Sequence, residues 1–110
     1  MANRCAADYA CPVELTLDVL GGKWKILILW HLEGGALRFG ELNRRIEGVS
    51  ERMLTRQLRE LALDGLVERR AYAEVPPRVE YSLTERGRSV EPLIAAICDW
   101  GSSQMERLAS

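Results

Sequence analysis

The side chains best equipped for chemistry in this chain are arginines, and their spacing is informative. From Ser50 to Asp64 the chain reads Ser-Glu-Arg-Met-Leu-Thr-Arg-Gln-Leu-Arg-Glu-Leu-Ala-Leu-Asp. At about 100° per residue from Ser50, Leu61, Leu54 and Leu58 fall at about 20°, 40° and 80°. Arg59, Arg52 and Arg56 fall opposite, at about 180°, 200° and 240°, with Thr55 beside them at about 140°. Such a helix docks one side in a core and projects three guanidiniums within about 60° on the other. Guanidinium forks match phosphates and guanine edges, so the expected partner is a polyanion, and duplex DNA above all. The competing reading is a solvated face with ion pairs to Glu51 and Glu60, which flank the arginines.

Other chemistries are poorly supplied. His31 is the only histidine, and the three cysteines, Cys5, Cys11 and Cys98, form no C-x-x-C pair. Neither a structural metal site nor a Ser–His–Asp set can be assembled from neighbouring residues, so no metal, no cofactor and no enzymatic activity is expected. Three cysteines cannot all pair within one chain, which suits a reducing compartment. Cys11 stands immediately before Pro12 at the start of a helix, where the helix dipole favours a thiolate. Its reactivity is therefore expected to be raised, and Cys5 or Cys98 could pair with it on oxidation. The alternative is a small apolar cap residue.

The 110 residues fit one domain, and 47% hydrophobic content supplies a core. No apolar run is long enough to span a bilayer, and the first residues lack a secretory pattern, so the expected location is the cytoplasm. Net charge is −1, with 15 basic and 16 acidic residues. From 38 to 88, however, eleven arginines face nine acidic residues, a local excess of positive charge.

The elements that must position the arginines follow from periodicity. Residues 1–10 read as an irregular lead-in to a single domain over 11–110. Pro12 opens a helix carrying Val13, Leu17 and Leu20 that stops at Gly21-Gly22. A second helix, about 23–33, is apolar almost all round and should be the buried centre. Leu37-Arg38-Phe39 is a short strand or an extended connector. A short helix over 40–46 and the turn Glu47-Gly48-Val49 precede Ser50, an N-cap for the arginine helix, which ends at Gly65. After Leu66 the period shifts to two. Val67, Arg69 and Ala71 alternate with Glu68, Arg70 and Tyr72, and Val79, Tyr81 and Leu83 follow a tip containing Pro76-Pro77. One last long helix begins at Thr84. The expected fold is mainly α with a small β-hairpin: a winged helix-turn-helix, dimeric. Arg78 at the hairpin tip can reach DNA, while Arg69 and Arg70 either do the same or pair with Glu80 or Glu68.

With these elements assembled, the chain closely resembles the HxlR-type family of winged-helix transcription regulators, relatives of the MarR type. The resemblance runs through Cys11-Pro12-Val13, Leu20-Gly21-Gly22-Lys23-Trp24-Lys25, Leu37-Arg38-Phe39-Gly40-Glu41-Leu42, Leu54-Thr55-Arg56-Gln57-Leu58, Gly65-Leu66-Val67, Val75-Pro76-Pro77-Arg78-Val79-Glu80-Tyr81 and Leu83-Thr84-Glu85-Arg86-Gly87. It implies a homodimer joined by its first and last helices and bound to a palindromic operator in double-stranded DNA. Carried over by position, the groove-reading residues are Ser50, Arg52, Met53, Thr55, Arg56 and Arg59. Pro77 and Arg78 form the wing, and Lys23 and Arg38 contact phosphates. Val13, Leu17, Val90, Leu93, Ile94, Ile97, Trp100, Met105 and Leu108 are the residues expected at the dimer interface. The resemblance also implies sensing through Cys11 in some members. Two other readings stay open: a regulator induced by a small organic ligand near Trp24, Trp30 and Trp100, and a winged-helix module that binds protein.

Overall fold

The structure, a computed structural model, describes residues 11–109; the 1–10 lead-in and Cys5 lie outside the described residues. The order is α1 (Pro12–Leu20), α2 (Lys25–Leu32), β1 (Leu37–Arg38), α3 (Phe39–Arg45), α4 (Glu51–Leu63), β2 (Val67–Tyr72), β3 (Arg78–Leu83), α5 (Glu85–Arg88) and α6 (Glu91–Ala109). The small sheet is antiparallel with order β1-β3-β2, so Leu37-Arg38 is a true strand, paired with Tyr81 and Glu80.

The core sits where α2, α3, α4 and the sheet meet. Ile28 and Leu29 of α2, Leu42 of α3 and Leu54 and Leu61 of α4 are fully buried, with Leu58 and Leu32 close behind. Each such side chain contributes about 1.5–3 kcal/mol by leaving water, so this contact alone holds α4 firmly. The helix-turn-helix corner is built locally. Gly48 takes φ +88°, a conformation that a side chain would strain, and Val49 turns inward to be buried. The Ser50 hydroxyl then accepts the Met53 amide at 3.0 Å and starts α4. At the far end Gly65 adopts φ +77°, and the amides of Gly65 and Leu66 bond back to Ala62 (3.0 Å) and Leu61 (2.9 Å). That double closure ends α4 and throws the chain into β2.

Two expectations are corrected. The helix expected at about 23–33 starts at Lys25, leaving Lys23 in the preceding turn, and Trp30 on its outer side is half exposed. The last helix is two helices. Thr84 does cap the first, accepting the Gly87 amide at 3.0 Å and donating to the Gly65 carbonyl at 2.6 Å. The break before α6 follows from Pro92, which lacks the amide that would bond to Arg88 and whose ring crowds that carbonyl. Proline is tolerated only in the first turn of a new helix, and α6 starts at Glu91.

Candidate nucleic-acid interface

The leucine side of α4 is seated in the core, so the opposite side must face outward. Ser50, Arg52, Thr55, Arg56 and Arg59 are exposed, and Met53 is half-buried, its sulfur accepting from Gln57 Nε2 at 3.4 Å. The Thr55 hydroxyl donates to the Glu51 carbonyl at 2.8 Å, so it is the threonine methyl that remains uncommitted. Among the described residues Arg52 and Arg59 make no ion pair, whereas Arg56 Nε lies 3.3 Å from Glu60 Oε2. A recess of about 450 Å³ runs along Glu51, Arg52, Thr55, Arg56 and Arg59. A second, of about 440 Å³, lies between α4 and the hairpin, lined by Thr55, Leu58, Arg59, Ala62, Arg69 and Tyr81. The two share Thr55 and Arg59 and so adjoin, and arginines from both the helix and the wing line this two-part groove.

The hairpin register explains why Arg69 joins this groove and Arg70 does not. Val67 pairs with Leu83, Arg69 with Tyr81 and Arg70 with Glu80. Side chains alternate along a strand, so Arg69 shares the α4-facing side with Val67, and Arg70 faces away. Arg70 is paired with Glu68 at 3.2 Å. Arg69 belongs to the cationic groove, a placement that sequence left undecided.

At the wing tip the geometry differs from the sequence expectation. Pro77 is exposed, but Arg78 is folded back. Its guanidinium lies 3.0 Å from Glu74 and 3.8 Å from Glu80, and its carbon stands 4.0 Å from the Tyr72 ring centre. Its Nε is buried without a hydrogen-bond partner. Arg78 braces the hairpin in this structure rather than extending from it. Of the two outlying cations, Arg38 is exposed, and Lys23 lies 4.7 Å from the Trp24 ring with its charge at the surface.

Sequence reading missed Lys25. It begins α2 on the same side as Ile28, Leu29 and Leu32, is 5% exposed, and meets Glu60 Oε1 at 2.8 Å. The Lys25 hydrogen bond, with help from Arg56, holds the Glu60 carboxyl below its ordinary range. The available signal was a lysine three and four residues before buried apolar positions. His31, packed edge-on against Trp30, is pushed below its ordinary value by burial and by Arg45.

The remaining expected residues divide cleanly. Ile94 is buried in the protomer's own core and Val90 packs against that core, while Val13, Leu17, Leu93, Ile97, Trp100, Met105 and Leu108 are exposed. Cys11 and Cys98 are free and exposed. Trp24 packs on the core, whereas Trp30 and Trp100 stand at the surface. No helix among the described residues is long and apolar enough to cross a membrane.

Known proteins share both sequence and shape with this chain. A transcriptional regulator of the HTH type from Methanothermobacter thermautotrophicus is 56% identical over 94 residues, 86% of this chain and 72% of that one. The redox regulator HypR in its oxidised form matches with TM-score 0.82 and 54% identity over 84% of this chain and 96% of that one. The reduced form of the regulator YodB from Bacillus subtilis matches with TM-score 0.74 and 34% identity, over 84% and 91% of the two chains. The description HxlR-like helix-turn-helix matches residues 19–109, spanning the arginine helix, its wing and α6. With its outward arginines, its wing and these relatives, the chain belongs to the HxlR-like helix-turn-helix family: it is a DNA-binding transcriptional regulator and not an enzyme.

Proposed function

We propose that two copies of this chain grip a palindromic operator, each placing α4 in a major groove. The exposed arginine side of α4, seated from behind by fully buried leucines, carries this reading. Arg52 and Arg56 pair with guanine O6/N7, each good pair contributing about 1–3 kcal/mol of discrimination. Thr55 offers its methyl to thymine. Arg59 and Arg69 grip backbone phosphate where α4 meets the wing, and Lys23 and Arg38 set position from outside.

Dimerisation is supported by what α1 and α6 leave uncovered. Val13 and Leu17 are each 65% exposed, Trp100 is 70% and Leu108 is 86%. Apolar surface on this scale marks an interface, and a second copy covers it by two-fold symmetry. Two α4 helices then sit about 34 Å apart, one duplex turn.

Cys11 gives the dimer its signal. It is exposed at the head of α1, the helix that carries the exposed Val13 and Leu17, so a change at its sulfur is transmitted to the interface through α1. An oxidant such as diamide takes two electrons and two protons from Cys11 and a second thiol, Cys5 or Cys98, as one S–S bond closes. HypR, a close structural relative, is a redox regulator.

The test uses the full chain, a labelled duplex from directly upstream of its own gene and a random duplex of equal length. The expected result is a dimer by sedimentation at micromolar concentration, and preferential upstream binding that weakens steeply with salt. Diamide should release the DNA from wild type but not from Cys11→Ala. A monomer, or equal binding of both duplexes, overturns the operator reading; equal release from Cys11→Ala removes the cysteine from it.

A further inference from the structure

The three arginines of α4 are chemically identical, yet their surroundings separate them. Arg52 and Arg59 have no carboxylate partner among the described residues, while Arg56 gives its Nε to Glu60 Oε2 at 3.3 Å. Glu60 is itself held: its other oxygen meets Lys25 Nζ at 2.8 Å, and Lys25 is buried at the start of α2. Glu60 is the one charged partner of Lys25 among the described residues, and a buried ammonium gives up such a partner only at a large desolvation penalty, so the carboxylate is anchored to the core of the domain.

We infer that Glu60 is a positioning residue that aims Arg56 at a base edge, with Lys25 as its buried anchor. This rests on the reading of α4 as the groove helix. A carboxylate that takes Arg56 through Nε leaves Nη1 and Nη2 free, and these terminal amino groups are the pair that fits guanine O6 and N7. The same carboxylate repels backbone phosphates, so it steers Arg56 away from the sequence-independent contact that a free arginine makes readily. Pre-setting the side chain also lowers the rotamer freedom lost on binding. Arg56 thus acts as a specificity residue whose aim is set before binding, whereas Arg59 carries more of the general attraction. The Lys25 hydrogen bond, with a smaller contribution from Arg56, holds the Glu60 carboxyl below its ordinary value.

Two measurements test this. The first needs no DNA: NMR relaxation of the arginine Nε–H groups in the free protein. Arg56 should be more ordered than Arg52 and Arg59 in wild type, and should become as mobile as they are in Glu60→Gln. Equal mobility of all three in wild type overturns the inference. The second compares affinity for the upstream duplex with that for the random duplex, in wild type, Glu60→Gln, Arg56→Ala and the double variant. Removing the carboxylate charge should strengthen random binding while lowering the specific-to-random ratio about tenfold. In the double variant the ratio should fall no further than in Arg56→Ala, since both changes disable one device. A merely electrostatic role raises both affinities equally and leaves the ratio intact, which overturns the inference; so do additive effects in the double variant. Wild type that ignores the upstream duplex defeats the groove-helix reading itself, and the NMR experiment still decides whether Glu60 holds Arg56. Lys25→Met should shift the Arg56 order in the same direction as Glu60→Gln, provided circular dichroism shows a folded chain.

Discussion

Two regions of this molecule present arginine to solvent, and they use it oppositely. On α4, Arg52 and Arg59 stand without ion partners among the described residues and Arg56 has one. At the wing tip, Arg78 has two carboxylates and an aromatic ring, and Arg70 has Glu68. The difference comes from backbone geometry. Helical arginines three and four residues apart crowd one another, with acidic residues only at the edges of the stripe. In a two-residue-period strand, Glu80 falls beside Arg78 on the same side and Tyr72 lies directly across from it. Positive charge counted along a sequence is therefore not charge available to DNA. What counts is charge without a nearby partner.

That contrast can be broken experimentally. The largest effect is expected on α4: Arg56→Ala should weaken operator binding at least about tenfold with circular dichroism unchanged, since each base-reading arginine contributes about 1–3 kcal/mol. Arg59→Ala should lower affinity for all duplexes alike and reduce the salt slope by about one, as expected of a phosphate contact. Freeing the wing is the sharper test. Glu74→Gln combined with Glu80→Gln releases Arg78 and should raise affinity about threefold at low salt, with a steeper salt dependence, in a fluorescence anisotropy titration. Arg78→Ala should change affinity by less than about twofold, because its guanidinium is already occupied, and should instead lower thermal stability slightly. A large loss of binding in Arg78→Ala would erase the distinction between the two regions.

The smallest expected effect concerns acid. Glu60 is held below its ordinary value of 4.5 in the folded chain, principally by Lys25. A depressed carboxyl contributes stability that is present above its unfolded value and lost as pH falls through the folded one. Thermal unfolding followed from about pH 6 to pH 3 should show this loss in wild type and a smaller one in Glu60→Gln.

Much of the architecture was legible because local rules and tertiary packing agree. The Ser50 cap, the turn at Gly48, the stop at Gly65 and the hairpin all appear where short-range signals place them. The division of the last helix is marked at Pro92, although the apolar stripe runs continuously across it. Lys25 escaped notice because composition treats lysine as surface, and the partner that admits it to the interior lies 35 positions along the chain, on another helix. The interface residues show the same limit. One helical stripe contains Ile94, which turns inward, and Trp100, which stays exposed, because only the first part of α6 reaches the body of the protomer.

From its residues alone the chain specified a helix with leucines on one side and arginines on the other, since a period of 3.6 sorts side chains without reference to anything distant. Which of those arginines is free, tethered or already spent on a neighbour was settled only when strands paired and helices packed. Ion pairing depends on distances of a few ångströms between groups that the covalent chain keeps far apart.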